Sequence, residues 1–243
     1  MAYFNWNEQT ADRLAELYQE RDDLLIDLDG TLLENLSPLF LWGNVFLMVK
    51  RFGPIFGWKN VFPKTKECLE LVLRNPDWKS TTNYATLEKA FLEWSKISKD
   101  HALEGLWDFY RKDFPRLHPL TTPVPGAREG LDALRSAGKT LYLATNPIWP
   151  KECVLKRLEW ANVPSTWFAN ITHSENWNVC KPSPLYYEKI LTEWQLDPHN
   201  TLMIGNDVKK DGSSIQVGIP CLILPNVGKQ YAWRKIAEAF RRQ

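Results

Sequence analysis

The sequence predicts an α/β protein built on a doubly wound parallel sheet, with an α-helical insertion after an early strand. Three observations predict it. From residue 125 onward, short apolar runs alternate with segments of helical spacing, the signature of strands and helices in turn. The runs are apolar throughout rather than at every second position, as expected for strands covered on both faces. Between the first apolar run and this region, residues 36–121 keep a different, mostly helical rhythm. That is too long for a simple connection.

The elements follow in order. Residues 8–20 (EQTADRLAELYQE) carry apolar side chains at 11, 14, 15, 17 and 18, which is helical spacing. Residues 24–28 read as a buried strand. In the insertion, TLEKAFLEWSKIS (86–98) and ALEGLWDFYRKDF (102–114) are amphipathic helix candidates. PGAREGLDALRSAG (125–138) is a helix with proline before its start and glycine at its end. TLYLAT (140–145) is a strand, PKECVLKRLEWA (150–161) a helix, and WFANITHS (167–174) contains a strand. SPLYYEKILTEWQL (183–196) is a helix and TLMIG (201–205) a strand. KKDGSSIQVG (209–218) contains a short helix, and PCLIL (220–224) is a last strand. The predicted division is a core of 1–35 and 122–243, with a helical domain of 36–121 hinged at 34–38 and 121–126. No repeat or low-complexity segment is present.

Composition narrows the function classes. The chain has 243 residues, 44% hydrophobic and 24% charged, which suits a globular core. A net charge of +1 gives nucleic-acid binding no electrostatic support. Cys68, Cys153, Cys180 and Cys221 lie far apart, as do the four histidines, so there is no zinc signature. The cysteines read as reduced thiols in a reducing compartment, and a cytoplasmic location is expected. The acids in the N-terminal stretch argue against a secretory signal. The apolar stretch 36–58 has a clean apolar part of roughly 13 residues ending at Lys50-Arg51, where a bilayer span needs about 20. A buried or interface-forming helix is expected, with room for a homodimer contact. Trp42, Trp58, Trp78, Trp94 and Trp107 are expected in the core of the insertion, while Trp149 is close enough to TNP to reach the site. The insertion holds 13 lysines and arginines against 9 acids, most simply a solvated surface.

Ligands of open parallel sheets bind at the carboxyl ends of the strands. There the sequence places Asp27, Asp29, Gly30 and Thr31, then Thr145 and Asn146, then Lys181, then Gly205, Asn206, Asp207 and Asp211. Carboxylates crowded on one edge repel unless a cation joins them. Magnesium takes oxygen ligands, often one or two carboxylates plus a substrate phosphate. A lysine, a hydroxyl and free N–H groups suit phosphate oxygens. An aspartate can attack phosphorus, and a second carboxyl can move the protons.

DLDGTL (27–32), LATN (143–146), CKPSP (180–184) and GNDVKKD (205–211) resemble, in order, the four motifs of the haloacid dehalogenase superfamily of phosphohydrolases. The resemblance covers roughly 20–35 and 122–225. It implies a Rossmann-like core with a helical cap inserted between the first and second motifs, as in phosphoglycolate-phosphatase-like members. Only 34 residues separate Asn146 from Lys181, which leaves little room for a second cap. By position, the resemblance makes Asp27 nucleophile and magnesium ligand, and Asp29 general acid/base with its carbonyl on the metal. It makes Thr145, Asn146 and Lys181 phosphate binders, Asp207 a metal ligand, and Asp211 a ligand or an orienter. Members that remove halide lack an acid at the Asp29 position, so the resemblance favours phosphoryl transfer. The fourth motif has its acids at 207 and 211, whereas many relatives place the first acid directly after the glycine. The implied function is a magnesium-dependent phosphatase acting on a small phosphorylated metabolite. The alternatives are a phosphomutase using the same acids and a non-catalytic binder on the same fold.

Overall fold

The computed structural model describes residues 3–5, 21–36, 38–95 and 97–241. The helix expected over 8–20 lies outside these residues.

A six-stranded parallel sheet forms the centre, in the order β1-β8-β7-β2-β5-β6. Its strands are β1 (Tyr3–Asn5), β2 (Asp23–Ile26), β5 (Thr140–Leu143), β6 (Phe168–Ile171), β7 (Thr201–Gly205) and β8 (Cys221–Ile223). β2 is central, with Ile26 opposite Leu143 of β5 and Ile204 of β7. The chain runs from β2 outward through β5 and β6, then returns to β7 on the other side. That reversal opens a crevice beyond the carboxyl ends of β2 and β7.

Alternate side chains of each strand enter opposite layers. Leu24, Ile26, Leu141, Leu143, Leu202 and Ile204 join one apolar cluster, while Leu25, Tyr142 and Met203 join the other. The first layer is closed by α5 (Ala127–Ser136), α6 (Lys151–Trp160) and α8 (Lys229–Arg241), and the second by α7 (Pro184–Glu193) and the 3₁₀ turn Gly212–Val217. Both faces are covered, which explains why the strands read as continuous apolar runs.

β1 and α8 are absent from the sequence reading. The signal for α8 is present in Ala232, Trp233, Ile236, Ala237 and Phe240, which repeat at helical spacing and are buried. Trp233 packs where a Cβ on Gly130 would meet its ring at 2.5 Å, so only glycine lets α8 approach α5 this closely.

The insertion is helical: α1 (Leu39–Phe56), α2 (Val61–Arg74), α3 (Asn83–Ser95) and α4 (Lys99–Asp108), then a π turn (Phe109–Asp113) and a 3₁₀ segment (Phe114–Leu120). Its two connections pair as an antiparallel ribbon, β3 (Leu33–Asn35) on β4 (Thr121–Pro123), with Glu34 opposite Thr122. The larger apolar cluster runs unbroken from the sheet into Phe52, Phe91 and Phe109 of the insertion. Polar ties also cross over. Asn83 Nδ2 donates to the Pro147 carbonyl at 3.0 Å, and Asn75 Nδ2 to that of Asn178 at 3.0 Å.

One expectation needs correction, and one helix is longer than its clean apolar part. α1 runs past Lys50-Arg51 to Phe56 and is long and apolar enough by length and composition to cross a bilayer, a test that a core helix also passes. Arg51 is accommodated by ion pairs with Asp113 (2.6 Å) and Asp108 (3.3 Å), which dock this part of the helix on the protein. Trp42 and Trp58 are not core residues: both are about three-fifths exposed, at 61% and 60%. Leu39 and Phe46 lie beside Trp42 on the outer face of α1, so its apolar pattern marks more than one buried side.

Candidate active site

β2 ends where its backbone ladder makes a last bond, Asp27 N–H to the Ile204 carbonyl at 2.9 Å. The chain then turns sharply. Gly30 adopts φ +80°, and a Cβ there would meet the Asn206 side chain at 2.4 Å, so conformation and space both call for glycine. Thr31 Oγ1 sits 3.3 Å from Asp27 Oδ2 and 3.2 Å from Asn206 Oδ1, linking this turn to the loop after β7.

Lys181 is the centre of the charge arrangement. Its Nζ donates to Asp27 Oδ1 at 2.9 Å and to Asp211 Oδ1 at 2.6 Å, with a side chain only 1% exposed. Burial alone would push this ammonium down, but Asp211 and Asp27 outweigh it and hold it well above its ordinary value. Burial and the Asp211 charge push Asp27 up to about 7, against the pull of Lys181. The Asn146 side chain fixes the lysine's backbone, its Oδ1 accepting the Lys181 N–H at 3.1 Å.

Asp211 is held from the other side. Its Oδ2 accepts the N–H groups of Asn206 and Asp207, each at 2.9 Å. This closeness needs Gly205, where a Cβ would lie 2.2 Å from Asp211 Oδ2. Asp207 Oδ1 accepts the N–H groups of Lys209 and Lys210 at 2.9 Å. Partial burial raises its pKa, but those amides and the Lys210 ammonium prevail and leave it below the usual carboxylate value.

Thr145 is fully buried. Its carbonyl accepts hydrogen bonds from Thr172 Oγ1 (2.7 Å) and Tyr186 OH (2.9 Å), while its Oγ1 has no partner. A buried, unpartnered hydroxyl is costly unless a ligand takes it.

Asp29 faces outward, its side chain 43% exposed, and Oδ2 accepts a bond from Arg157 Nη1 at 2.5 Å. The Arg157 side chain is 3% exposed, and its Nε and Nη2 are buried without partners. Sequence reasoning missed this residue. A signal existed: Cys153, Val154 and Leu158 form the buried stripe of α6, and Arg157 falls within it. Tyr186, under the Lys181 ammonium at 5.7 Å, was missed too because a tyrosine on an apolar helix face reads as core.

The structure therefore joins Asp27, Lys181 and Asp211 directly, brings Asn146 and Asp207 against their neighbours, and holds Asp29 with Arg157. Among the described residues, no three of His, Cys, Asp and Glu converge as a ready-made metal cluster. Trp149 packs on Phe114 at 4.8 Å and lines the space between α1–α4 and the sheet.

An acid–lysine centre in the switch crevice of a doubly wound sheet defines an α/β enzyme of the Rossmann-like type. The family model described as haloacid dehalogenase-like hydrolase matches residues 24–216, and the chain belongs to that family. A phosphoglycolate phosphatase of Vibrio vulnificus (strain YJ016) is 30% identical over 119 residues, 49% of this chain and 49% of that protein. The match thus spans about half the length of that curated relative. Among solved structures, a 2-haloacid dehalogenase from Pseudomonas syringae pv. Tomato DC3000 aligns with TM-score 0.57 and 17% identity over 84% of this chain and 86% of that one. A HAD phosphatase from Thermococcus onnurineus aligns with TM-score 0.52 and 18% identity over 85% and 87%. At these identities the two structures speak for the fold, and they belong to two different chemistries.

Proposed function

We propose that this protein is a magnesium-dependent phosphatase that hydrolyses a small phosphate monoester through an aspartyl-phosphate, with residues 36–121 as its cap. The observation that carries the choice over halide removal is Asp29, a half-exposed carboxyl two residues after the buried Asp27. Phosphate ester cleavage needs a proton for the leaving oxygen; halide departure needs none.

Asp27 attacks phosphorus in line. The P–O bond to the alcohol breaks, and the alcohol oxygen takes the Asp29 proton. Asp29 then removes a proton from water, which attacks phosphorus and frees phosphate and Asp27. Lys181 and the Thr145 hydroxyl hold phosphate oxygens, with Asn146 setting the lysine's backbone. Arg157 orients Asp29 from beneath. The oxygen donors of Asp27, Asp207 and the Asp29 carbonyl suit a hard cation, and these would hold magnesium. When bound, it neutralises charge on the transferring group. Asp211 is spoken for by Lys181 and two amides, so we assign it as an orienter rather than a direct ligand. The four cysteines are free and buried, in keeping with a reducing, cytoplasmic setting.

The test is release of inorganic phosphate from an aryl phosphate and a metabolite panel, with and without magnesium. Release that depends on magnesium and disappears in Asp27→Asn is expected. A folded wild type that releases none overturns the reading. Transfer to a sugar hydroxyl in place of water would make the protein a mutase.

A further inference from the structure

We propose that the alcohol released is apolar: the substrate class is the phosphate monoester of an alkyl or aryl alcohol rather than of a short polar acid or polyol. This rests on the phosphatase reading above and concerns the part of the substrate that reading leaves open.

A cavity of about 550 Å³ lies between α1–α4 and the core. That falls within the roughly 300–1,000 Å³ typical of small-molecule sites. Its core side is Ile148, Trp149 and Lys210, from the same two loops that carry Thr145, Asn146, Asp207 and Asp211. None of the candidate site residues lines this space, but Lys210 does and its ammonium lies 3.4 Å from the Asp207 carboxylate, so the cavity adjoins that edge through Lys210. The opposite wall is apolar, with Met48, Phe52 and Phe91 among its residues.

Two ammoniums line the cavity, one of them paired with a carboxylate. Lys210 Nζ lies 3.4 Å from Asp207. Lys64 Nζ lies over the Trp94 ring at 5.0 Å and the Phe56 ring at 5.8 Å. The lining contains no arginine to receive a second anionic group. A short carboxylate-bearing alcohol would leave most of the volume unfilled and bring a charge against apolar walls, which is costly. One polar feature is specific. Asn44 lines the cavity, is 7% exposed, and its Oδ1 is buried with no partner. The favoured alcohol therefore carries an apolar body with one hydrogen-bond donor.

The chemistry is unchanged: the P–O bond breaks, and the apolar alcohol leaves with the proton from Asp29. The experiment measures kcat/KM for ethyl, butyl, hexyl and 1-naphthyl phosphate beside glycerol phosphate and phosphoglycolate. About fourfold per added methylene is expected until the cavity is filled. The cavity-filling variants Val45→Phe and Met48→Trp should lower the ratio of the hexyl to the ethyl value at least tenfold, with thermal midpoints showing both folded. Equal or better turnover of the polar esters, or a flat alkyl series, overturns the inference while leaving the phosphatase reading intact. If no ester is hydrolysed, the phosphatase reading fails. Fluorescence titration with 1-naphthyl phosphonate then decides the cavity: binding weakened by Val45→Phe supports an apolar site, and no binding overturns it.

Discussion

Lys181 shows how much one side chain can settle. It sits between two buried carboxylates, Asp27 and Asp211, whose side chains are 11% and 1% exposed. Removing one member of such a group leaves charge buried without compensation, which costs about 3–5 kcal/mol. Lys181→Met is therefore expected to lower unfolding free energy by about that much in urea and to abolish phosphate release. Arg157 behaves differently. It is as deeply buried as Lys181, but it bonds only Asp29 and keeps two unpartnered nitrogens. Its partner Asp29 is half exposed, so removing the arginine lifts the cost of a poorly satisfied buried charge and leaves the carboxylate in water rather than buried without compensation. Arg157→Met should keep or raise the urea midpoint while lowering kcat about tenfold, the loss of roughly one well-placed hydrogen bond to a charged group. A positioning role further predicts that kcat falls in this variant while KM does not change, and that Arg157→Lys restores part of the rate. An unchanged kcat would reduce Arg157 to a structural residue.

At the scale of elements, the site depends on two turns leaving adjacent strands. Gly205 ends β7 and lets Asp211 fold back onto the N–H groups of Asn206 and Asp207. Gly205→Ala drives its methyl into that carboxylate. Overpacking of this kind costs about 1–3 kcal/mol, so a lower denaturation midpoint is expected together with at least a tenfold fall in phosphate release. The turn after β2 is steadied from the far end of the chain. Trp233 of α8, fully buried, donates its Nε1–H to the Thr31 carbonyl at 3.1 Å. A helix that contributes no candidate catalytic residue thereby closes one layer of the core and anchors the loop that carries Asp27.

For the whole molecule, the continuous cluster from sheet to insertion and the Asn83–Pro147 and Asn75–Asn178 bonds make the two segments one packed body. The cysteines report on its integrity. Cys68 lies in α2, Cys153 in α6, Cys180 before Lys181 and Cys221 in β8, and all four are buried. Burial pushes Cys68 and Cys180 up to about 12 and raises Cys153 and Cys221 as well. The thiolate is the reactive form. At pH 8 a disulfide reagent should label the native protein slowly and all four thiols at once in guanidinium. Rapid labelling of one native thiol would locate a region that opens independently.

The sequence by itself determined the parallel sheet and the candidate site edge. Continuous apolar runs are what a doubly covered strand requires, and the acids, hydroxyl and lysine follow those runs because polar groups emerge where strands leave the core. Local spacing carries that information. It carried less about α1, whose two-sided apolar pattern covers a buried and an exposed face alike, and about α8, whose helical spacing was present but unread. Three things only the tertiary structure decided. Lys181 meets Asp27 and Asp211 across 154 and 30 residues of chain. Arg157 reaches Asp29 across 128. The cavity between insertion and core takes its apolar wall from four helices and its floor from two distant loops. These are contacts between segments remote in sequence, and no local periodicity encodes which remote side chain arrives.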